Sequence, residues 1–241
     1  MMEPRPSVIQ HRLKQVKRVI AVASGKGGVG KSMVASTLAL TLAKQGKEVG
    51  LLDLDLYGPS AHLILGFSPD GFPDEDKGII PQKIEGIRFM SLVYFSEDKP
   101  AAFRGDDVTN IIIELLAITR WDKLDYLIID LPPGIGDETL DIISYIPQTE
   151  FLVVTTPSKV AFGAVEKLVN ILLEGNHRLL GVVENMVYSP SNFIAQNMKD
   201  LGVDHLAILP FDKEIETVIG QPSQLLSTVF AKNITRLSKR I

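Results

Sequence analysis

The segment Gly25-Lys26-Gly27-Gly28-Val29-Gly30-Lys31-Ser32 constrains the fold of this chain more than any other feature of the sequence. It follows a short apolar run and precedes an amphipathic pattern, so it lies where a strand would lead into a helix. Its glycines leave backbone N–H groups free to surround phosphate oxygens, and the helix that follows adds the positive end of its dipole. The segment therefore predicts a phosphate-binding loop in an α/β fold, with all eight residues in contact with the nucleotide.

The glycines of this loop also satisfy G-x-G-x-x-G, the fingerprint of dinucleotide-binding folds. Asp53 lies near the distance at which such folds place their ribose-binding acid. Lys31 and Ser32 decide between the two interpretations, because a dinucleotide-binding turn needs neither. A P-loop uses the lysine on the β- and γ-phosphates and the hydroxyl on Mg²⁺. The sequence therefore predicts a site for a nucleoside triphosphate with Mg²⁺.

Short apolar runs alternate with patterns of helical spacing along the chain. Runs that are apolar on both faces are typical of strands buried in a parallel sheet. The rhythm predicts a single-domain α/β P-loop NTPase over 16–241, with a mainly parallel central sheet flanked by helices on both faces, after an N-terminal extension over 1–15. The predicted strands are 19–23, 49–53, 87–92, 127–130, 151–155, 179–184 and 206–209. The predicted helices are 31–44, 108–119, 161–173, 191–201 and 225–240.

The composition excludes several classes of function. The 241 residues include no cysteine, which excludes disulfides, thiolate zinc sites and thiolate-ligated iron–sulfur clusters within this chain. A net charge of -4 gives no general attraction to nucleic acid or anionic lipid. The longest apolar runs, 111–118 and 151–154, fall short of the roughly 20 residues of a membrane-spanning helix, and 1–7 lacks the apolar core of a secretory signal. We expect a soluble, cytoplasmic protein.

Three carboxylates lie at the ends of predicted strands. Asp53 and Asp55 are two residues apart, so both side chains point to the same side, toward the crevice at the carboxyl ends of the strands. Asp130 ends the apolar run 127–130 in the form of a Walker B motif, whose aspartate holds Mg²⁺ through water. Acidic residues at strand ends can also be turn residues, but their place after a P-loop favours a function. The segment 131–138 has two prolines and two glycines, which suggests a γ-phosphate-sensing switch.

Lys26 occupies a loop position at which an ordinary P-loop needs no lysine, and it could be a plain surface residue. With this lysine the sequence resembles the deviant-Walker ATPases, the superfamily of MinD, ParA and the nitrogenase iron protein. The resemblance implies a face-to-face homodimer promoted by ATP, in which Lys26 reaches the partner's phosphates. It also implies that Asp55 orients or deprotonates the attacking water and that Asp53 supports the Mg²⁺ shell. Lys26, Lys31 and Asp55 are the predicted catalytic residues.

Further motifs appear in the order that is typical of one branch of that superfamily, the Mrp/ApbC-type ATPases. They are 53–60, Arg104-Gly105, 121–134 with Gly136-Asp137, Thr155-Thr156-Pro157, 181–186, and Gly220 with Pro222. The resemblance covers about 16–222 and implies an ATPase that carries or inserts iron–sulfur clusters. It also implies that Asn185 hydrogen-bonds adenine and that Pro210 and Phe211 frame the base. A strand-terminating asparagine is the alternative interpretation of Asn185.

The sequence departs from the Mrp pattern directly after Met186. The family has a paired-cysteine motif there, whereas this chain reads Val187-Tyr188-Ser189-Pro190-Ser191-Asn192-Phe193. Serine and asparagine oxygens are poor ligands for iron–sulfur clusters. We expect a slowly hydrolysing dimeric ATPase linked to cluster assembly or transfer, which works with a cysteine-bearing Mrp-like protein or an iron–sulfur apo-protein. The alternative is a ParA/MinD-like positioning ATPase that binds membrane or DNA, with the basic amphipathic pattern at 230–241 as the membrane contact or as a docked helix.

Overall fold

Strands and helices alternate along the chain, as the sequence rhythm predicts. The computed structural model describes residues 5–55, 58–69, 71–95, 105–134, 136, 142, 144–189 and 191–241. The strands are β1 (Val16–Ser24), β2 (Val49–Asp53), β3 (Gln82–Ile84), β4 (Ile87–Ser91), β5 (Leu124–Asp130), β6 (Thr149–Thr155), β7 (Arg178–Val187) and β8 (His205–Pro210). The helices are α1 (Arg5–Leu13), α2 (Lys31–Lys44), α3 (Ala61–Ile64), α4 (Gly105–Ile118), α5 (Lys159–Glu174), α6 (Phe193–Asp200), α7 (Ile215–Val218), α8 (Pro222–Leu225) and α9 (Val229–Leu237).

The strands form one sheet in the order β3-β4-β2-β5-β1-β6-β7-β8. Every described pairing is parallel except that of β3 with β4. The register places Asp53 of β2 beside Asp130 of β5, and Asp130 beside Val22 of β1. The carboxyl ends of β1, β2 and β5 therefore meet at one edge of the sheet, where open α/β folds bind their ligands.

The core explains why the central strands have no polar face. Residues 19–24 of β1, all of β2 and all of β6 are buried, because helices cover both faces of the sheet. Helix α2 packs against β1, β2 and β5, and α5 packs against β6 and β7. The predicted fold class is confirmed, and the predicted strands differ from the observed ones only at their ends.

Several elements lie outside the predicted ones, among them β3, α1 and the short helices α3 and α7. Strand β3 pairs antiparallel with β4 at the edge of the sheet, in a part of the chain where no strand was predicted. Helix α1 lies inside the predicted extension 1–15, where it packs against α4 with Ile9 and Leu13 buried. Its Arg12 donates to the Ala117 carbonyl at 3.0 Å, which joins α1 to the last turn of α4. The domain boundary at residue 16 stays a prediction.

Helix α9 occupies the middle of the predicted C-terminal helix 225–240, and α8 ends at the first residue of that range, Leu225. Thr228 begins α9, because its hydroxyl accepts the Ala231 N–H at 3.1 Å. Phe230, Ile234 and Leu237 are buried, and α9 packs against α2 and β8. The apolar face of the basic amphipathic pattern is therefore covered by the protein itself. Within the described ranges, no helix has the length and apolar character needed to span a bilayer.

Candidate nucleotide site

The loop 25–32 connects β1 to α2 at the carboxyl edge of the sheet. Gly30 begins α2 with a φ of 80°, a left-handed conformation that glycine adopts without steric cost. Gly25 is required for a different reason, since a Cβ there would lie 2.6 Å from the Ala164 carbonyl carbon of α5. The loop therefore packs against α5 at Gly25 and leads into α2 at Gly30, and a side chain would be unfavourable at either position.

A buried ion pair lies directly below the loop. Lys31 is the first residue of α2, and its Nζ pairs with Oδ1 of Asp130 at the end of β5. Burial raises the pKa of Asp130, while the nearby Lys31 charge and hydrogen bonds from Lys31 and Ser32 oppose the increase. The second oxygen, Oδ2, is buried and has no hydrogen-bond partner among the described residues. Buried carboxylate oxygens normally have a hydrogen-bond or metal partner, so this oxygen is available to bind an ion or a water.

The residues around Asp130 fit a magnesium ion. Mg²⁺ in nucleotide sites takes one or two carboxylates together with waters and phosphate oxygens, so it needs no cage of protein ligands. The described residues contain no group of three or more His, Asp or Glu side chains placed to hold a metal ion. The Ser32 hydroxyl and the free Oδ2 of Asp130 are sufficient protein ligands for Mg²⁺ when phosphate oxygens and waters supply the rest.

The two carboxylates after β2 have different surroundings. Asp53 is buried; its Oδ1 accepts the Asp55 N–H at 3.1 Å and its Oδ2 accepts the Ala61 N–H at 3.3 Å. Burial and then the neighbouring Asp130 charge raise the pKa of Asp53 to about 7. Asp55 lines the cavity described below, and its Oδ1 accepts the Gly58 N–H at 3.1 Å. Asp53 therefore holds the backbone that presents Asp55, and its support of the Mg²⁺ shell stays a prediction.

A cavity of about 580 Å³ opens above the loop, in the size range of small-ligand sites. The charged and phosphate-binding residues of 26–32 form one end, and Asn185 and Met186 of β7 lie close to Gly30 of this loop. The rest of the wall includes an apolar end with residues from the end of β8 and from α7 and the residue after it. These residues are Pro210, Phe211, Ile215 and Ile219. The structure thus brings the predicted loop, Asp55 and the three predicted base-contacting residues to one cavity.

Asn185 and Lys26 have contrasting contacts within this cavity. Asn185 is buried and its Nδ2 donates to the Val29 carbonyl at 2.9 Å, which ties β7 to the phosphate loop. Its predicted contact with adenine stays a prediction. The side chain of Lys26 is exposed at the cavity wall, and no ion pair joins it to any described residue.

Asp212 is a residue of the site that the sequence did not reveal as functional. It lines the cavity, and its carboxylate accepts the N–H groups of Glu214 and Phe230, both at 3.1 Å. This aspartate joins the loop after β8 to the first turn of α9. An aspartate shortly after β8 predicts a turn. Its contact with Phe230 could not be predicted, because the two residues are far apart in sequence.

Part of the predicted site lies outside the described residues. These residues are Leu56 and Tyr57 of the second motif, Arg104, the switch residues Ile135, Asp137 and Glu138, and Pro190. The described part of the predicted switch begins at the end of β5, where the Gly134 N–H donates to the Ser24 carbonyl at 3.0 Å. This bond attaches the start of the segment to the end of β1.

The glycine loop before a helix, the lysine–aspartate pair and the parallel sheet define a P-loop NTPase. A family model described as "ParA: NUBPL iron-transfer P-loop NTPase" matches residues 15–238. The chain therefore belongs to this family, which confirms the resemblance to the Mrp/ApbC-type ATPases.

Curated relatives and a solved structure agree with this assignment. The chain is 38% identical over 226 residues to an iron-sulfur cluster carrier protein of Aquifex aeolicus, a match that covers 88% of this chain and 62% of the relative. A protein of the same description from Pseudomonas fragi is 37% identical, with 90% of this chain and 84% of the relative covered. The nucleotide-binding protein of Archaeoglobus fulgidus in complex with ADP has a TM-score of 0.79 and 30% identity over 94% of this chain and 95% of that one. Its ADP supports nucleotide binding in this fold.

Proposed function

We propose that this chain binds ATP with Mg²⁺, hydrolyses it slowly as an ATP-dependent homodimer, and serves iron–sulfur cluster assembly or transfer without cluster ligands of its own. The observation that carries the proposal is the buried Lys31–Asp130 pair with the free Oδ2 of Asp130 beside Ser32. This arrangement offers a cation for phosphate and a carboxylate for a metal at the end of a glycine-rich loop.

The chain's own residues mainly position and neutralise the phosphates. The backbone N–H groups of the loop and the amino end of α2 bind phosphate oxygens, and Lys31 adds a full positive charge. Ser32 and Asp130 would hold Mg²⁺, which when bound neutralises negative charge on the phosphates. Asp55 lies on the cavity wall, where it can orient the attacking water and accept its proton.

The proposed homodimer rests on Lys26. Its ammonium is exposed at the cavity wall and pairs with no carboxylate among the described residues. A lysine inside a phosphate loop that is left free in the monomer is available to the phosphates of a second copy. This contact makes dimerisation depend on the nucleotide.

The proposed iron–sulfur role follows from the family and from the missing thiols. The relatives are named as cluster carrier proteins, and this chain has no cysteine. The thiolates that a cluster needs must then come from another protein, either a cysteine-bearing Mrp-like partner or the apo-protein that receives the cluster. We place this activity in the cytoplasm. The ParA/MinD-like alternative has weaker support, since the apolar face of α9 is buried.

The test combines the chain with a cluster-loaded, cysteine-bearing Mrp-like protein and an apo-ferredoxin. Cluster transfer is followed by circular dichroism in the visible range, with the mixture lacking this chain as the control, and phosphate release is measured separately for this chain alone. We expect MgATP to change the transfer rate with the wild-type chain and to have no effect with Asp55→Asn, which keeps the shape of the side chain but cannot accept a proton. Equal transfer with and without ATP would remove the iron–sulfur role. Equal phosphate release by wild type and Asp55→Asn would remove the role of Asp55.

A further inference from the structure

Two exposed aromatic rings, Tyr188 and Phe211, stack on each other next to the apolar end of the cavity. The ring centroids of Tyr188 and Phe211 are 4.3 Å apart and their planes differ by 19°, which is a stacked arrangement. Tyr188 is 73% exposed and Phe211 is 39% exposed. Exposed aromatic rings that are held parallel in this way form a flat apolar surface, and such a surface suits a planar ligand.

The backbone fixes this pair in place. Val187 of β7 lies beside Pro210 of β8, so the two rings emerge at the same level from neighbouring parallel strands. The Phe211 N–H donates to the Val187 carbonyl at 3.0 Å. On the other side, the contact of Asp212 with the Phe230 N–H at 3.1 Å attaches the same turn to α9. Phe211 is thus anchored from both directions.

The two rings have different relations to the cavity. Phe211 lines it, together with Met186, Pro210 and Ile215, whereas Tyr188 is not among the lining residues. One face of the Phe211 ring is covered by Tyr188, and Phe211 also lines the cavity. Stacking of bases on aromatic side chains tolerates different bases because every base has a π-face, and it strengthens with ring area.

From this arrangement we infer that Tyr188 is a positioning residue of the nucleotide site: it holds the Phe211 ring parallel to the base of a bound nucleotide, so that base, Phe211 and Tyr188 stack in three layers. The inference rests on the proposed nucleotide binding and adds to it how the base is recognised. Because a purine offers a larger ring area than a pyrimidine, the stack favours purine nucleotides.

The test measures dissociation constants by isothermal titration calorimetry for three probes: ADP, CDP and inorganic pyrophosphate. The variants are Tyr188→Ala, which removes the outer ring, and Tyr188→Phe, which keeps it. We expect Tyr188→Ala to weaken ADP binding about 3- to 10-fold and to reduce the preference for ADP over CDP, since an aromatic stack is lost. Pyrophosphate has no base, so its affinity should not change. Tyr188→Phe should restore both the ADP affinity and the preference.

Leu173→Ala provides the control for loss of exposed apolar surface, because Leu173 lies in the last turn of α5 at the opposite edge of the sheet. The positioning role is overturned if Tyr188→Ala binds ADP as the wild type does, or if ADP and pyrophosphate lose affinity equally. It is also overturned if the only effect is on ATP-dependent dimerisation. Failure of the wild-type chain to bind ADP at all would instead remove the proposed function.

Discussion

Asp53 and Asp130 are neighbours in register at the carboxyl edge of the sheet, and the protein compensates their charges in different ways. Asp130 is paired with the Lys31 ammonium. Asp53 accepts two backbone N–H groups but contacts no cation among the described residues, and the charge of Asp130 disfavours its ionisation. Two buried carboxylates side by side rarely ionise together. Below about pH 7 the nucleotide-free site is therefore expected to hold its proton on Asp53, while Asp130 is paired with Lys31.

The protonation of Asp53 predicts how stability depends on pH. Its pKa of about 7 in the folded state is above the ordinary value of 3.8, so between these two pH values the folded protein binds one proton more than the unfolded chain. The contribution is fully present below pH 3.8, declines between pH 3.8 and about 7 by roughly 1.4 kcal/mol of unfolding free energy per pH unit, and is lost once the pH has risen through 7. Urea unfolding of wild type and Asp53→Asn across this range, without nucleotide, should show the decline in the wild type only. Parallel curves would assign the pH dependence to another group.

The Lys31–Asp130 pair predicts a stability effect in addition to loss of nucleotide binding. Lys31→Ala removes the cation and leaves a buried carboxylate uncompensated, so we expect a loss of about 3–5 kcal/mol in the free energy of unfolding. Adding Asp130→Asn to that variant removes the stranded charge and should recover part of the loss. Chemical denaturation of both variants is the measurement. A double variant no more stable than Lys31→Ala would show that the buried charge is not the cause.

At the scale of elements, the sequence predicts what is set locally and misses what depends on docking. The central strands were predicted because burial on both faces leaves continuous apolar runs, as in β2 and β6. β3 has three residues, none fully buried, and so carries no such run. α1 was missed because its apolar residues acquire a partner only when α4 docks beside it. β3 and α1 lie away from the nucleotide cavity, whereas the short helices α3 and α7, which were also missed, supply Ile64 and Ile215 to its wall.

The candidate site follows the same rule. The loop 25–32 and Asp130 could be predicted because their chemistry is contained in short motifs at a strand end. The bond from Asn185 to Val29 joins residues far apart in sequence, and it depends on how β7 is placed relative to the loop. The contacts of Asp53 with the N–H groups of Asp55 and Ala61 depend on the path of the backbone between them. Strand-end polarity alone cannot predict either contact.

The contact between the phosphate loop and α5 predicts unequal effects for two glycine substitutions. A Cβ at Gly25 would lie 2.6 Å from the Ala164 carbonyl carbon and 2.7 Å from the Val165 nitrogen, and these backbone atoms cannot move without displacing α5. Gly25→Ala should cost about 1–3 kcal/mol in stability and weaken ADP binding. Gly163 is the matched control on the same helix, since a Cβ there meets nothing within 4 Å. Gly163→Ala should stabilise α5 by about 0.5–1 kcal/mol. Thermal unfolding and ADP titration compare the two, and equal stabilities would contradict the steric explanation.

At the scale of the whole molecule, one edge of the sheet carries every described residue of the site. The ends of β1, β2 and β5 supply the phosphate end of the cavity, β7 supplies Asn185 beside the phosphate loop, and the end of β8 supplies part of the apolar end. The loop after β1 contributes two lysines with opposite surroundings: Lys31 is buried against Asp130, while Lys26 is exposed. A single loop can therefore serve the nucleotide of its own subunit and that of a second subunit.

The different surroundings of the two lysines predict that Lys26→Ala and Lys31→Ala differ in their effects on stability and on dimerisation. Since Lys26 has no ion pair with the described residues, its removal should leave the unfolding free energy within about 0.5 kcal/mol of wild type. A lysine that acts across the dimer should nevertheless be needed for the rise in mass on adding ATP, and for hydrolysis. Analytical ultracentrifugation with a non-hydrolysable ATP analogue measures the first effect and phosphate release the second. Lys167→Ala, an exposed lysine on the solvent side of α5, controls for loss of surface charge. If Lys26→Ala still dimerises with ATP, the Lys26 ammonium has no role between subunits. If Lys26→Ala is as unstable as Lys31→Ala, the two lysines do not have separate roles.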